Sequence, residues 1–304
     1  MDSIMGNFST WISAMRLRTL PLSVSGIILA SCLAQYKGVF NWSICILAIL
    51  TTLSLQILSN LANDYGDGVK GTDNDDRIGP QRAIQSGKIT PKQLYKAIVI
   101  NVVIALVLAI LLIYQSFGAE HFLLALLFFA LGIASIVAAI RYTVGSNAFG
   151  YRGLGDVFVF IFFGLVSVIG CYVLYAKTID FITVLPAITI GLLSTGVLNL
   201  NNMRDRISDE KSNKITLAVI LGSKKVKTYH SILIITSIIL SGLFGVLYYN
   251  SPFNLIFILA FIPLLIHLKT VNNNTDLKLL DPELKKLALS TVLLALLMGI
   301  GLLF

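Results

Sequence analysis

Charge is scarce in this chain of 304 residues: Asp, Glu, Lys and Arg make up only 12%, about half the share of a soluble domain. With 56% apolar residues and a mean hydropathy of +0.86, a soluble fold is excluded and lipid must be the solvent for much of the surface. Cysteine is equally sparse. Cys32, Cys45 and Cys171 are odd in number, fall within or beside apolar runs and share no ligand spacing, so they read as packing residues. The three histidines, His121, His230 and His267, are scattered along the chain, which argues against a zinc or haem site. Nothing resembles a cleaved signal peptide.

What is abundant is the long apolar run. A membrane-spanning helix needs about 20 mostly apolar residues, and such stretches occur near 19–36, 42–62, 94–114, 121–141, 154–176, 181–200, 229–249, 253–271 and 286–304. The runs are continuous rather than alternating, which excludes a transmembrane barrel. Backbone groups in hydrocarbon must be satisfied within each segment. The expected fold is therefore all-α, a polytopic membrane protein of nine transmembrane helices. Ahead of the first, Ile4, Phe8, Trp11, Ile12 and Met15 share one helical face. That segment is either an interfacial helix or a lead-in to the first span.

The net charge of +8 does not imply nucleic acid, because the basic residues are segregated. Counting alternate sides of nine spans, 21 lysines and arginines fall on one side and only Lys37 and Lys177 on the other. This is a strong positive-inside pattern. It puts the N-terminus in the cytoplasm, the C-terminus on the far side, and the protein in the cytoplasmic (inner) membrane, with lipid as a partner and nucleic acid excluded. Two connections stand out as long, roughly 63–93 and 201–228. Both are cytoplasmic by this count and rich in Asp, Asn, Gly, Lys and Arg. Thr90-Pro91 and Asp281-Pro282-Glu283 read as structural helix starts. With no linker or low-complexity tract, residues 1–304 read as a single domain.

Both long connections carry an acidic stripe. Gln56, Asn60, Asp64 and Asp67 share a face if the second helix runs past the membrane edge, followed by Asp73, Asp75 and Asp76. Asn201, Asp205 and Asp209 form the second stripe, and Asn-x-x-x-Asp closes both the second and the sixth span. These spans run in the same direction, so the stripes reach the same surface. Stacked carboxylates at a helix C-terminus repel one another and the helix dipole. A hard cation reverses that penalty. Magnesium takes one or two carboxylates, several waters and substrate phosphates, so facing stripes suit a diphosphate. Lys70, Arg77, Arg82, Arg204, Arg206 and Lys214 are interleaved with them and able to clamp phosphate oxygens.

These motifs resemble the paired aspartate-rich motifs of UbiA-type intramembrane prenyltransferases. Asn60-x-x-x-Asp64-x-x-Asp67 and Asn201-x-x-x-Asp205-x-x-x-Asp209 carry the resemblance, which extends over nearly the whole chain. Asn63-Asp64-Tyr65-Gly66-Asp67-Gly68, Arg77-Ile78-Gly79-Pro80-Gln81-Arg82, Gly150-Tyr151-Arg152-Gly153-Leu154-Gly155-Asp156 and Lys214-Ile215-Thr216-Leu217 are most similar to the branch acting on 1,4-dihydroxy-2-naphthoate in menaquinone biosynthesis. The resemblance implies magnesium held by Asp64, Asp67, Asp205 and Asp209, and a polyprenyl diphosphate bound with Asn60, Lys70, Arg77, Arg82, Asn201, Arg206 and Lys214. It places Arg18, Tyr142, Tyr151 and Arg152 near the acceptor, and implies the two long loops cap the active site. The chain departs from the family pattern at Leu17, where proline is expected, and at Gly68 to Gly71, where relatives place another aspartate. Phe158, Phe160, Phe162 and Phe163 either line the tail cavity or simply pack. Sister prenyltransferases using 4-hydroxybenzoate or other acceptors remain open, as does a cation-coupled transporter. A CDP-alcohol phosphatidyltransferase is disfavoured, because Asp67-Gly68 is followed by Val69-Lys70-Gly71-Thr72.

Overall fold

The computed structural model describes residues 2–73 and 78–304, with side chains from Phe8 onward except that of Arg18. Asp75, Asp76 and Arg77 lie outside the described residues. Eight helices are long and apolar enough to cross a membrane: Trp42–Lys70, Pro91–Phe117, Phe122–Arg141, Gly155–Ala176, Phe181–Lys211, Leu217–Leu247, Pro252–Asn273 and Leu277–Gly301. A bent pair, Phe8–Met15 and Leu20–Tyr36, meets at 51° and supplies a first span, bringing the count among the described residues to nine. The chain is thus an all-helical, multi-pass membrane protein.

Local chemistry sets the ends of these helices. Asn41 caps the second span by accepting from the backbone N–H of Ser43 at 2.9 Å and of Ile44 at 3.2 Å. Thr90 and Gln93 close a capping box on the third, with Pro91 at its start, as the sequence indicates. The second span ends where Gly71 adopts φ +72°, a left-handed turn open to glycine at little cost. Asp281 departs from the expectation. The α-helix of the ninth span starts at Leu280 behind Leu279, which makes no side-chain cap, so Asp281 and Glu283 stand in its first turn and Asp281 is not the N-cap; Asp281 also pairs with Arg204.

The second and sixth helices run past their apolar stretches to Lys70 and Lys211, and the seventh begins at Leu217. The expected 63–93 connection therefore shrinks to residues 71–90, and the expected 201–228 loop to residues 212–216. Hydropathy marks the edge of the lipid slab, whereas the helical hydrogen-bond ladder continues into water. Only the first connection is long.

Among the described residues three apolar cores hold the bundle, the smallest of them joining Leu200, Met203, Ala218, Val226, Val271 and Leu280 of the sixth to ninth spans. Leu58, Leu61, Leu94, Ile98 and Ile136 bind the second, third and fourth spans. Leu29, Leu33, Ile190, Ile234, Leu264 and Leu294 belong to a larger core drawn mainly from the first and the fifth to ninth spans. His230 and His267, far apart in sequence, meet within it with Nε2 atoms 2.9 Å apart, and His267 Nδ1 lies 2.7 Å from Glu283 Oε2. This buried chain ties the seventh, eighth and ninth spans. All three cysteines are free, and Cys45 and Cys171 are buried, consistent with packing.

Candidate active site

A cavity of about 420 Å³ opens among the first six spans and the ninth. Its polar end is built from the two motif-bearing helices: Asn60, Asn63 and Asp67 from the second span, Asn201, Asn202 and Asp205 from the sixth. Arg16, Arg82, Lys214, Asp281 and Lys285 complete that end. From there it descends past Leu55, Thr51 and Ile27 to Ala48, Leu112 and Leu174. An acidic and basic rim therefore leads directly into an apolar interior.

Each carboxylate is matched by a base. Asp67 accepts from the Tyr151 hydroxyl at 2.7 Å and lies 3.2 Å from Lys214 Nζ, which is also 3.8 Å from Asp209. Asp205 is held by Arg204 through two bonds, Nε to Oδ1 at 2.8 Å and Nη2 to Oδ2 at 2.6 Å. Arg204 Nη2 also donates to Asn201 Oδ1 at 2.9 Å, and Nη1 donates to Asp281. Asp64 is ion-paired with Arg16, with Arg82 Nε 3.7 Å away. It faces an adjoining small pocket shared with Arg16 and Arg82.

The turns around the rim are seated by backbone contacts. The Ile215 N–H donates to the Tyr151 carbonyl at 3.3 Å, and the Lys214 N–H to the Asp209 carbonyl at 2.8 Å. These bonds tie residues 212–216 to the 149–152 turn and bring Lys214 and Tyr151 together over Asp67. Gly66 makes room for the neighbouring segment, since a Cβ there would meet Thr143 Oγ1 at 2.6 Å. Thr143 in turn donates to the Ala62 carbonyl at 3.0 Å. Burial alone pushes the Lys214 ammonium down, but Asp67 and Asp209 outweigh it and hold it well above the ordinary lysine range. Burial, with Asp67 alongside, pushes the Tyr151 phenol up, and burial does the same to Tyr142. Both phenols stay protonated through neutral pH, so Tyr151 is a hydrogen-bond donor to Asp67.

Of the residues singled out from sequence, Asn60, Asp67, Asn201, Asp205, Arg82, Lys214 and Tyr142 line the cavity. Asp64 reaches it through Arg16 and Arg82, and Asp209 through Lys214. Lys70 instead donates to the Thr143 carbonyl at 2.7 Å and sits 4.0 Å from the Tyr151 ring centre. Arg206 lies 4.0 Å from Glu210, one turn along its own helix. Arg152 is exposed, contributing a backbone bridge to Ile215. Arg77 and the Arg18 side chain lie outside the described residues. Arg204, read from sequence as a phosphate clamp, is fully buried and committed to carboxylates. Arg16 and Lys285 were not anticipated, because both read as topology-setting charges. Arg16 occupies a left-handed corner at φ 51°, an uncommon conformation for a residue with a Cβ. That corner is invisible to pattern reading.

Among the described residues no three His, Cys, Asp or Glu side chains converge as a preformed metal cage. Magnesium does not require one, since it is bound by one or two carboxylates with water and substrate phosphate. Asp67 and Asp205 on opposite walls, with Asp209 and the amide oxygens of Asn60 and Asn201 nearby, are a hard-oxygen donor set that fits this ion. Tyr151→Phe tests the rim directly. It removes the phenol donor to Asp67 while keeping the ring beneath Lys70 and Lys214. A hydrogen bond to a charged group is worth about 1.5–3 kcal/mol. The melting temperature should therefore fall by a few degrees, and turnover in initial-rate assays should fall on the order of tenfold as Asp67 loses the group that orients it.

These features give a helical membrane protein whose cavity joins a charged rim to an apolar interior. Comparison with known proteins agrees. Residues 24–280 match the UbiA prenyltransferase family, and the chain belongs to that family. It is 41% identical to the 1,4-dihydroxy-2-naphthoate octaprenyltransferase of Escherichia coli (strain K12) over 96% of this chain and 94% of that protein. The Haemophilus influenzae protein of the same description is also 41% identical, over 96% of this chain and 95% of its own length. A solved structure of a UbiA homolog from Archaeoglobus fulgidus bound to DMAPP and Mg2+ superimposes with a TM-score of 0.64 at 13% identity. That superposition covers 96% of this chain and 99% of the other.

Proposed function

We propose that this protein transfers a polyprenyl group from polyprenyl diphosphate to 1,4-dihydroxy-2-naphthoate with loss of the acceptor's carboxylate, giving demethylmenaquinone in its quinol form. The observation that carries this reading is a cavity whose rim joins the two aspartate motifs to an apolar interior. The descriptions of the 41% identical relatives support the choice of acceptor. The allylic carbon–oxygen bond breaks and the diphosphate leaves with the electron pair. A ring carbon of the naphthoate bonds to the prenyl carbon, and the carboxylate departs as carbon dioxide.

Asp67, Asp205 and Asp209 would hold magnesium, with Asp64 positioning Arg16 and Arg82 beside them. When bound, the ion supplies charge neutralisation to the departing diphosphate. Lys214, Arg82 and Arg16 supply fixed positive charge around the same phosphates. Tyr142, which packs edge-on against Phe149 with ring centres 5.4 Å apart, and Phe158 give the acceptor an aromatic wall. The apolar lower cavity keeps water from the cation-like prenyl carbon. In this reading the rim faces the cytoplasm of the inner membrane, as the basic residues indicate.

Purified protein supplied with octaprenyl diphosphate and 1,4-dihydroxy-2-naphthoate should form the prenylated quinol with magnesium and none with EDTA. Product from 4-hydroxybenzoate alone would move the pathway and keep the chemistry. No transfer to any aromatic acceptor by folded protein would sink the reading.

A further inference from the structure

One hydroxyl on the cavity wall is unlike its neighbours. A serine or threonine within a helix can donate to a carbonyl one turn back, which satisfies it where water is scarce. Ser23 donates to the Leu20 carbonyl at 2.8 Å, Thr51 to Leu47 at 2.7 Å, Ser135 to Leu131 at 2.8 Å and Ser167 to Phe163 at 2.7 Å. All four line the cavity. Ser194 of the sixth span lines it too, yet it is 2% exposed and its Oγ has no partner. Among the described residues the other unpartnered hydroxyls, on Ser116, Thr189 and Ser251, belong to residues that do not line the cavity. A buried hydroxyl without a partner is destabilising, and one on a cavity wall gains its bond from a polar ligand.

Ser194 stands two turns before Asn201 on the same face of the sixth span, roughly 10 Å below the rim. Contacts of its neighbours fix its level. Thr195 donates to the Asp156 carbonyl at 3.4 Å, and a Cβ on Gly191 would lie 2.8 Å from the Phe160 ring. Ser194 is therefore level with Phe158 of the fifth span, which also lines the cavity. Phe158 stacks on Phe149 with ring centres 3.8 Å apart and planes inclined by 13°, and Phe162 continues the column at 6.3 Å and 18°. An unpartnered hydroxyl beside a column of flat rings suits a flat aromatic molecule that carries a hydroxyl of its own. It does not suit a prenyl tail, which has no polar atom to offer.

Resting on the functional reading above, we infer that Ser194 hydrogen-bonds the 4-hydroxyl of the naphthoate and is a specificity-determining residue for that oxygen. The acceptor's own chemistry selects it. The 1-hydroxyl is ortho to the carboxylate and bonds to it internally. The 4-hydroxyl stands para to the first, points away from both groups and needs a partner from the protein. With the carboxylate drawn to the cationic rim, the 4-hydroxyl is the polar atom directed down the cavity toward Ser194. A ring without this oxygen leaves the serine buried and unpaired, so the site disfavours it.

The test uses the full-length protein with octaprenyl diphosphate and magnesium. The acceptor is 1,4-dihydroxy-2-naphthoate, and the competitor is 1-hydroxy-2-naphthoate, which lacks only the 4-hydroxyl. In the parent the Ki of the competitor should exceed the KM for the acceptor by at least about tenfold, or roughly 1.4 kcal/mol. Ser194→Ala should raise the KM for the acceptor by about that factor without raising the Ki of the competitor or the KM for octaprenyl diphosphate. Ser194→Thr should restore a preference that Ser194→Val, of the same shape, lacks, a difference that a packing role would not produce. Residual transfer reports that each variant is folded. A competitor that binds the parent as tightly as the acceptor does, or a Ser194→Ala variant that weakens both aromatic ligands equally or neither, would overturn the assignment. Failure of the parent to prenylate the naphthoate would instead overturn the functional reading, and the assignment with it.

Discussion

Asp67→Ala and Asp205→Ala should each reduce prenyl transfer by at least about 100-fold, more than the 10–100-fold typical of losing a group that merely orients a metal ligand. The two side chains come from opposite walls of the cavity rim, so neither replaces the other. Each neutralised group is poised to exchange partners: Lys214 lies 3.2 Å from Asp67 and 3.8 Å from Asp209. When donor and metal enter, the ammonium can turn to phosphate oxygens as the carboxylates turn to the ion. The requirement for magnesium should therefore rise along with the loss of rate in Asp67→Ala. Asp64→Ala should act differently, because it frees Arg16 and Arg82 rather than removing a carboxylate from the cavity wall. Its main effect is expected in the KM for the donor. Initial rates at several magnesium and donor concentrations distinguish these outcomes, and equal behaviour of all three variants would contradict the division of roles.

The second large effect is on stability. Arg204 is 1% exposed and holds Asp205, Asn201 and Asp281 with one guanidinium. Removing one partner of a buried pair typically costs about 3–5 kcal/mol, because the other charge is left without compensation. Arg204→Met should therefore lower the melting temperature in detergent by on the order of 10 °C. Arg204→Lys should recover little of this, since an ammonium cannot span the two Asp205 oxygens and reach Asp281 in one plane. Asp281→Asn should be milder, because Asp281 is partly exposed. Full thermal stability in Arg204→Met would contradict the bracing role.

The elements most legible in the sequence were those written in one local pattern. Nine apolar runs and the one-sided placement of basic residues mark the spans, and the repeated Asn-x-x-x-Asp marks the two helices that meet at the cavity. Partnerships across the bundle were not legible. Asp281 carries a good helix-start pattern, yet its partner is Arg204, 77 residues away. His230 and His267 look isolated until the seventh and eighth spans pack side by side. Arg16 looks like a positive-inside anchor, and only the left-handed corner between the two arms of the first span turns it toward Asp64. Helix ends were misplaced wherever a helix left the lipid slab, as at Lys70 and Lys211, because hydropathy falls while the backbone ladder continues.

The central claim is that one cavity couples departure of the diphosphate to prenylation and decarboxylation of the naphthoate. The most direct measurement supplies 1,4-dihydroxy-2-naphthoate labelled in its carboxylate and counts labelled carbon dioxide against prenylated product. The account predicts one carbon dioxide released for each prenyl group transferred, both dependent on magnesium and both lost together in Asp205→Ala. Prenylated product that retains the label, or label release without prenyl transfer, would contradict it.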